Sequence, residues 1–207
     1  SNHDAPRCVS RWYDGADRAR FAKLTNALLL SLRGNPILYQ GEELGLPQAE
    51  VPFAQLQDPE AIANWPRTLG RDGARTPMPW MHDGHMAGFT TGTPWLPVGQ
   101  EHAAAAADVQ EAKPDSVLNF TRQVLNLRRS FPALTLGDIA FEDVGAPVLA
   151  FRRVLGDDMV LCVFNLGAES RLRPECMPSG AAVLAASGWG DELLGDIPEY
   201  SVWIGRL

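Results

Sequence analysis

The feature that most constrains this fold is a stretch of about seventy residues, 41–113, whose apolar side chains follow neither helical nor strand periodicity. Trp65, Trp80 and Trp95 lie in it, together with prolines at positions 47, 52, 59, 66, 77, 79, 94 and 97. A disordered linker would lack such aromatic side chains. A structureless loop of this length is uncommon in a compact domain unless it has a function. We therefore predict an ordered loop that is held on a regular scaffold.

The segment before this loop predicts a helix and then a strand. Apolar residues at three- and four-residue steps predict a helix over residues 16–33, with Asp14 or Asp17 capping its start and Arg33 complementing its C-terminal dipole. Its inner positions are Phe21, Leu24, Leu28 and Leu32. A short apolar run over residues 36–40 then predicts a buried strand. A helix, a tight turn and a short apolar strand are typical of an α/β protein with parallel strands.

A second helix is predicted over residues 114–130, and strand patterns follow it. Its inner positions are Val117, Phe120, Val124 and Leu127. Residues 147–155 and 159–166 are joined by Gly156-Asp157-Asp158, which predicts a hairpin. Further strands are predicted over residues 138–141, 181–186, 192–194 and 201–206. We therefore predict two domains, an α/β domain over residues 1–135 and a small antiparallel sandwich over residues 136–207.

Composition argues against several classes of function. The chain has 18 Lys and Arg against 25 Asp and Glu, a net charge of −7 without a basic cluster, whereas nucleic-acid binding needs concentrated positive charge. No apolar run approaches the roughly twenty residues of a membrane span. Three scattered cysteines argue against a disulfide framework or a metal site and favour a reducing, cytoplasmic compartment: Cys8, Cys162 and Cys176. We predict no cofactor and no metal, with His82, His85 and His102 as solvated loop residues and Cys162 as a core thiol.

Three short segments carry side chains suited to chemistry, and the first is Asn2-His3-Asp4, followed closely by Arg7. A carboxylate, an imidazole and a guanidinium within one short loop can hydrogen-bond the neighbouring hydroxyls of a sugar or bind a phosphate. The alternative is a helix-capping segment in which Asp4 serves only the backbone.

The other two segments lie after the predicted strand and inside the long loop. Glu42 and Glu43 follow the strand, and strand exits build the active sites of parallel α/β folds; the alternative is a turn with a solvated acidic pair. Arg71, Arg75 and Trp80 could form a ligand wall, because arginine offers a planar fork and tryptophan a stacking face. The alternative for this segment is an internally salt-bridged loop.

Taken together and in this order, the three segments resemble a known family. NHDAPR at residues 2–7, GNPILYQGEELG at residues 34–45 and GRDGARTPMPW at residues 70–80 are similar to motifs of the α-amylase superfamily, glycoside hydrolase family thirteen, on its α-glucosidase and oligo-1,6-glucosidase branch. The resemblance covers residues 2–135, and the strand-rich remainder is similar to the family's domain C. Ala5 and Pro79 stand where Gln is common in these motifs, which leaves the preferred linkage open.

The resemblance implies a (β/α)₈ TIM barrel of which this chain supplies the C-terminal part, from about the exit of strand seven to helix eight, followed by domain C. The helix before the loop would be helix seven, residues 36–40 strand eight, and residues 41–113 the β8α8 loop over the active-site mouth. Because a barrel needs roughly 250 residues, we expect a fragment. Its partner would be the N-terminal remainder of the same barrel, in the same or another chain.

The resemblance also implies a retaining, exo-acting α-glucosidase that hydrolyses terminal α-linked glucose of small oligosaccharides or sucrose. Such enzymes use two carboxylates, a nucleophile and a general acid/base, and both would lie outside this chain, which we therefore expect to be inactive alone. Asp4 resembles the third acid, which binds the 2- and 3-hydroxyls of the sugar and stabilises the transition state. The other carried-over residues are His3, sharing that contact; Arg71, fixing the non-reducing-end sugar; Arg7 and Arg75, near the site; and Glu42, a structural acid.

Three alternatives accompany this reading. A transglucosylase or sucrose isomerase of the same family would use the same residues while excluding water differently. A non-catalytic, glucosidase-like accessory subunit of an amino-acid transporter belongs to another class, but such relatives have lost catalytic acids, whereas His3 and Asp4 are present here. A carbohydrate-binding module over residues 137–207 is the third alternative.

Overall fold

The computed structural model describes residues 1–68, 70–189 and 195–207, and it contains two compact units. The first unit comprises residues 1–22 and 38–119, and the second comprises residues 23–37 and 120–207. The helices are α1 (Cys8–Arg11), α2 (Arg18–Ser31), α3 (Pro59–Asn64), α4 (Ala107–Glu111), α5 (Val117–Ser130) and α6 (Pro132–Leu136). The strands are β1 (Asp138–Glu142), β2 (Val148–Leu155), β3 (Asp158–Asn165), β4 (Ala182–Ser187) and β5 (Ser201–Arg206). The domain boundary near residue 135 stays a prediction.

The long loop belongs to the first unit, and its described residues are ordered although they contain little regular structure. Short 3₁₀ turns alternate in it with α3 and α4: Glu42–Leu44, Phe53–Gln55, Asp72–Ala74, His85–Gly88 and Ala103–Ala105. Two clusters of buried apolar side chains hold the loop: Leu44, Leu46, Met78 and Leu118 in one, and Val51, Leu56, Ala61 and Leu96 in the other. Burial of apolar surface therefore replaces backbone ladders here, and the prediction of an ordered loop is confirmed.

The strands of the second unit form an antiparallel sheet in the order β1-β2-β3-β5-β4. Strands β2 and β3 pair from Val148 opposite Asn165 to Leu155 opposite Asp158, which confirms the predicted hairpin. The buried core against the sheet contains Ala150, Leu161, Val163, Met177, Ile197 and Trp203. The predicted strand over residues 192–194 lies outside the described residues. A second sheet is not found in residues 1–68, 70–189 and 195–207, so the sandwich stays a prediction.

Cys162 lies in β3 with no exposed surface, and this burial raises the pKa of its thiol to about 12. The prediction of a core thiol is therefore confirmed. Cys8 is also buried and Cys176 is half-buried, and none of the three cysteines forms a disulfide bond within the described residues. Across the part of the chain that the structure describes, no helix combines the length and the apolar character that a membrane span requires.

Helices α2 and α5 lie within the ranges that the sequence predicts, and each begins at a capping side chain. Asp17 Oδ1 accepts a hydrogen bond from the backbone N–H of Arg20 at 3.0 Å, and Ser116 Oγ accepts one from the N–H of Asn119 at 3.2 Å. These bonds satisfy N–H groups that the first helical turn leaves without an intrahelical partner. Of the two caps proposed for α2, the structure therefore selects Asp17.

The inner faces of the two helices differ in part from the predicted stripes. Phe21 and Leu24 are buried, but Leu28, Leu32 and Leu127 are only half-buried. The buried surface instead includes small and polar side chains that a search for large apolar residues overlooks: Asn26, Ala27, Ser31 and Thr121. Asn26 Nδ2 donates to Thr121 Oγ1 at 3.0 Å, so this polar pair joins α2 to α5.

The prediction of a buried strand over residues 36–40 is wrong for the chain as described. These residues lie in no strand, and the Ile37 side chain is 82% exposed. A strand exists only through hydrogen bonds to a neighbouring strand, and no described residue pairs with this segment in a ladder. An apolar run indicates that a segment tends to be buried. It forms a buried strand only where a neighbouring strand is present to pair with it.

Two buried arginines satisfy backbone carbonyl groups in the second unit. Arg128, near the end of α5, places Nη1 within 2.7 Å of the carbonyl oxygen of Leu30, 3.0 Å of that of Leu32 and 2.9 Å of that of Leu134. Its Nη2 donates to the carbonyl oxygen of Gly34 at 2.5 Å. A cation at a helix C-terminus offsets the negative end of the helix dipole. The structure thus gives Arg128, a residue of another helix, the contacts that this role requires, whereas Arg33 Nη1 lies 3.1 Å from Asp138 Oδ1.

Arg153, in β2, completes the same arrangement from the sheet. Its Nη1 donates to the carbonyl oxygens of Ser31 at 2.6 Å and Leu134 at 2.9 Å, and its Nη2 donates to that of Gly137 at 2.9 Å. The Arg153 side chain has no exposed surface. The guanidinium carries five N–H donors in a rigid fork, so a single side chain can join the end of α2 to the end of α6 and to the start of β1.

Replacing Arg153 by methionine should lower the free energy of unfolding by about 2–5 kcal/mol, because buried carbonyl groups lose their donors at roughly 1–3 kcal/mol each. The matched control is Arg152→Met, which removes the neighbouring, half-exposed partner of Glu142 and should cost less than about 1 kcal/mol. Urea unfolding followed by circular dichroism measures both. Equal losses in the two variants would contradict this account.

Candidate active site

Asp4 lies in an exposed segment of the first unit, and two arginines and a histidine surround its carboxylate. Its Oδ1 lies 3.0 Å from Arg75 Nη2 and 3.4 Å from Arg71 Nη1, and its Oδ2 lies 3.2 Å from His3 Nε2. The Asp4 side chain nevertheless remains 52% exposed. The structure thus brings together four of the residues singled out from the sequence, although Asp4 and Arg71 are 67 positions apart. The carboxylate is held in place and still accessible to a ligand.

Arg75 fixes the backbone of this segment as well as the carboxylate. Its Nε donates to the carbonyl oxygen of His3 at 2.8 Å while its Nη2 reaches Asp4. The side chain is 20% exposed, so most of it is packed against protein. Because one rigid guanidinium contacts both the main chain of His3 and the side chain of Asp4, their relative orientation is restricted.

Arg71 is held by an acid that sequence reasoning missed. Asp58 Oδ1 accepts from Arg71 Nη2 at 2.7 Å, and Asp58 Oδ2 accepts from Arg71 Nε at 3.0 Å and from the Arg71 backbone N–H at 2.8 Å. The Asp58 side chain has no exposed surface. The bond from the Arg71 side chain holds the pKa of the Asp58 carboxyl far below its usual range, and it raises the pKa of the Arg71 guanidinium. The pair therefore stabilises both side chains in their charged forms.

Asp58 itself is positioned by a second buried acid, Asp72. Asp72 Oδ2 accepts from the backbone N–H groups of Gln57 at 2.6 Å and Asp58 at 2.8 Å. The turn that carries Asp72 passes very close to another part of the loop, since a Cβ at Gly73 would lie 2.2 Å from the carbonyl oxygen of Ala49. Only glycine fits there. The one sequence signal for Asp58 is its place before Pro59, where it caps α3, and that signal does not reveal Arg71 as its partner.

Arg7 is buried, unlike the other arginines of this group. Its Nη1 donates to the carbonyl oxygen of Gln40 at 2.5 Å and its Nη2 donates to that of Ala74 at 3.2 Å. Burial lowers the pKa of its guanidinium, which the charges of nearby residues partly offset. A Cβ at Gly41, where φ is +87°, would lie 2.7 Å from Arg7 Nη1. The structure thus uses Arg7 to hold the residues that precede Glu42 against the segment that carries Arg75.

The adjacent acids Glu42 and Glu43 differ in their surroundings. Glu42 is buried, and its Oε2 accepts from the backbone N–H of Tyr39 at 2.9 Å, which fits a structural acid. Glu43 is half-buried, and its Oε2 accepts from the N–H of Gly41 at 2.8 Å. Burial raises the pKa of the Glu43 carboxyl, although its hydrogen bonds and Arg7 oppose that shift. The alternative of a solvated acidic pair is therefore wrong for Glu42.

Glu43 and Arg75 also line a cavity of about 400 Å³ within the first unit. Its wall is largely aromatic and apolar, and it includes the exposed rings of Trp80, Phe89 and Trp95. The structure therefore brings Arg75 and Trp80 to one concave surface, as a ligand wall would require. Arg71 is not among its described lining residues and points to Asp58 and Asp4 instead.

The prediction that all three loop histidines are solvated is wrong for His102. His82 and His85 are exposed, but His102 is 1% exposed. Its Nε2 lies 2.9 Å from the carbonyl oxygen of Pro47 and its Nδ1 lies 3.4 Å from Thr76 Oγ1. A carbonyl oxygen only accepts, so Nε2 carries the proton and Nδ1 accepts from the threonine hydroxyl. Burial lowers the pKa of this imidazole, despite the opposing bond to Pro47.

Comparison with known sequences gives a consistent set of relatives. The sequence model of the α-amylase catalytic domain matches residues 1–137. A probable α-glucosidase of Rhizobium meliloti (strain 1021) is 43% identical over 213 residues, covering 100% of this chain and 38% of the relative. A probable oligo-1,6-glucosidase of Bacillus subtilis (strain 168) is 32% identical and covers 93% of this chain and 38% of the relative. The chain thus spans well under half the length of these relatives.

Solved structures give the same result for the fold. The α-glucosyl transfer enzyme XgtA superposes on 100% of this chain and 39% of its own, with a TM-score of 0.84 and 42% identity. Trehalulose synthase MutB from Pseudomonas mesoacidophila MX-45 superposes on 100% of this chain and 42% of its own, with a TM-score of 0.84 and 29% identity. The backbone described above is therefore an arrangement that larger carbohydrate enzymes contain.

The burial of His102 generates a pH dependence of stability. Its pKa is lowered in the folded state, so the unfolded chain takes up the proton first and stability falls as the pH drops below about 6.5. The His102→Gln variant should lose less stability between pH 7 and pH 5 than the wild type, because glutamine stays neutral. The exposed His82→Gln is the matched control, with a slope like that of the wild type. Urea midpoints at the two pH values test this, and identical slopes for His102→Gln and wild type would refute it.

Proposed function

The chain belongs to the α-amylase catalytic-domain family, and from this premise we propose that it forms part of a retaining, exo-acting α-glucosidase. The substrates would be small oligosaccharides or sucrose, from which the enzyme releases terminal α-linked glucose. The match over residues 1–137 and the relatives named α-glucosidase and oligo-1,6-glucosidase support this proposal. The observation that carries it is the Asp4 carboxylate, which two arginines hold while half of its side chain stays exposed.

The proposed architecture assigns residues 1–135 to the C-terminal part of a (β/α)₈ barrel and residues 136–207 to domain C. Residues 36–40 would become strand eight once neighbouring strands of the barrel flank them, which would cover the exposed Ile37 side chain. The ordered loop over residues 41–113 would then follow the C-terminal end of that strand. Barrel active sites lie at this end of the strands. The remainder of the barrel, in the same or another chain, would be the partner.

The proposed role of Asp4 is to stabilise the transition state. Retaining hydrolysis passes through an oxocarbenium-like state, and hydrogen bonds to the sugar hydroxyls strengthen as that state forms. A carboxylate that is fixed before the sugar arrives pays no reorganisation at that moment. Arg71 and Arg75 both donate to Oδ1 and so engage its two lone pairs, whereas Oδ2 faces His3 and keeps a lone pair for a sugar hydroxyl.

Of the remaining site residues, some would contact the sugar and others would orient the residues that contact it. His3 would share the hydroxyl contact of Asp4, and Arg71 would fix the sugar at the non-reducing end. Arg75 would orient Asp4 and border the adjacent cavity. Arg7 would act as a positioning residue, because both of its terminal nitrogens donate to backbone carbonyl groups. We do not assign a metal or a cofactor to the reaction of these residues, since retaining glycoside hydrolysis proceeds with a carboxylate nucleophile and a carboxylic acid that donates the proton.

A second candidate function is transglucosylation or sucrose isomerisation by the same residues. Two observations favour keeping it: XgtA is an α-glucosyl transfer enzyme, and MutB is a trehalulose synthase. Product analysis separates the candidates. A hydrolase releases glucose from maltose, isomaltose or sucrose, whereas a transferase forms a new disaccharide or trisaccharide and an isomerase converts sucrose into an isomer.

The Asp4→Asn substitution should lower kcat by about 100-fold or more with little effect on folding, because interactions made in the transition state are lost while the side chain is half-exposed. The test protein is a chimaera in which residues 1–207 replace the matching 38% of the Rhizobium meliloti relative. Hydrolysis of p-nitrophenyl α-glucoside gives kcat. Asp14→Asn, another exposed acid of this segment, is the control and should keep full turnover. Near wild-type turnover in Asp4→Asn would refute the assignment.

Residues 1–207 by themselves should hydrolyse this substrate no faster than buffer does. Retaining hydrolysis needs a nucleophile and a general acid about 5 Å apart, and the family resemblance assigns both to positions outside this chain. The isolated chain should also unfold at a lower urea concentration than the chimaera, because strand eight would lack both neighbours. Turnover by the isolated chain that Asp4→Asn abolishes would contradict this division of the active site.

A further inference from the structure

Asp58 is a buried charge whose hydrogen-bonding capacity is committed almost wholly to one residue. Both carboxylate oxygens accept from Arg71, through the guanidinium nitrogens Nε and Nη2 and through the backbone N–H. A fourth bond, from the backbone N–H of Glu60, completes the set at 3.2 Å. Burying a carboxylate is costly unless it is paired and fully hydrogen-bonded. A loop at the protein surface does not need a buried ion pair to be soluble. The burial of Asp58 against Arg71 therefore requires another explanation.

The pairing with Asp58 selects one edge of the Arg71 guanidinium and leaves another edge available. Asp58 engages Nε and Nη2, which form one side of the planar fork. The third nitrogen, Nη1, faces Asp4 Oδ1 at 3.4 Å and carries two hydrogens. The Arg71 side chain is 40% exposed. Asp58 therefore determines which nitrogen of Arg71 is presented beside Asp4.

We propose that Asp58 is a positioning residue for Arg71, which it holds side-on so that Nη1 alone faces Asp4 and a sugar bound there. This inference rests on the proposed function, and it adds a residue that neither the motif reading nor the comparisons assign. Without Asp58, the preferred fork of Arg71 would be free to pair with Asp4 through two nitrogens. That pairing would occupy both Asp4 oxygens and withdraw them from the sugar hydroxyls.

Other hydrogen bonds of the loop restrain the position of Asp58. Asp72 accepts hydrogen bonds from the backbone N–H groups of Gln57 and Asp58, and Asp58 caps the start of α3. Two arginines and three carboxylates thus form one connected chain from Asp72 through Asp58 and Arg71 to Asp4 and Arg75. In such a chain, the buried end determines the geometry of the exposed end.

The test uses the active chimaera and the variant Asp58→Asn, whose amide has nearly the shape of the carboxylate but no charge. We expect kcat to fall by tenfold or more with KM changed by less than threefold, because the loss concerns orientation in the transition state. Glu50→Gln, an exposed acid on the same loop, is the matched control and should leave both constants unchanged. Wild-type kcat in Asp58→Asn would overturn the proposal.

A double-mutant cycle separates positioning from a general loss of folding. In an Arg71→Ala background, Asp58→Asn should change kcat by less than twofold, because its only route to the site has been removed. A full tenfold loss in that background would show that Asp58 acts on structure alone and would overturn the proposal. If Asp58→Asn fails to fold, Arg71→Lys replaces it: lysine keeps the cation but cannot be held through two nitrogens, and wild-type kcat in that variant is the overturning result.

The same variants distinguish this inference from the proposed function. If Asp4→Asn retains turnover, the role of Asp4 as the third acid fails, whatever Asp58 does. If Asp4→Asn abolishes turnover while Asp58→Asn keeps the wild-type kcat, the proposed function stands and only the positioning role of Asp58 fails.

Discussion

Hydrogen bonds from buried arginines to backbone carbonyl groups hold this molecule together where helices and strands do not. Arg7 joins the segments around Gln40 and Ala74 in the first unit. Arg128 and Arg153 join the end of α2 to α6 in the second. A loop of this length leaves many carbonyl groups without a ladder partner, and each would cost free energy if it were buried unsatisfied. A guanidinium, with five N–H donors in a planar fork, satisfies several of them at once.

The candidate site uses the same side chain for a different purpose. Arg71 and Arg75 are exposed enough to meet a ligand, and each is restrained at one edge, Arg71 by Asp58 and Arg75 by the carbonyl oxygen of His3. The free edges converge on Asp4 Oδ1. An active site needs groups that are fixed before the substrate arrives, because fixed dipoles and charges need not reorganise during the reaction. Ion pairs on an ordered loop provide that rigidity without a regular element.

The aperiodic loop therefore has two functions that depend on each other. Its apolar clusters bury Leu46 and Leu96 and give the loop a core of its own. On that core, the turns at Glu42–Leu44 and Asp72–Ala74 carry Glu43, Asp72 and the flanking arginines. The bond between His102 and the carbonyl oxygen of Pro47 links two parts of the loop that are 55 positions apart. Loss of these contacts would disorganise the part of the loop that carries the flanking arginines.

The sequence by itself determined the elements whose signals are local. Caps and apolar spacing predicted α2 and α5, alternation and the Gly156-Asp157-Asp158 segment predicted the β2–β3 hairpin, and the motifs singled out Asp4, Arg71 and Arg75, whose side chains lie together in the structure. Tertiary structure decided what depends on distant partners: whether residues 36–40 form a strand, whether His102 is buried, and which acid holds Arg71. The Asp58–Arg71 pair spans 13 positions and His102–Pro47 spans 55. No local pattern encodes such pairs, because hydrogen bonds and burial between distant segments exist only after the chain has folded around them.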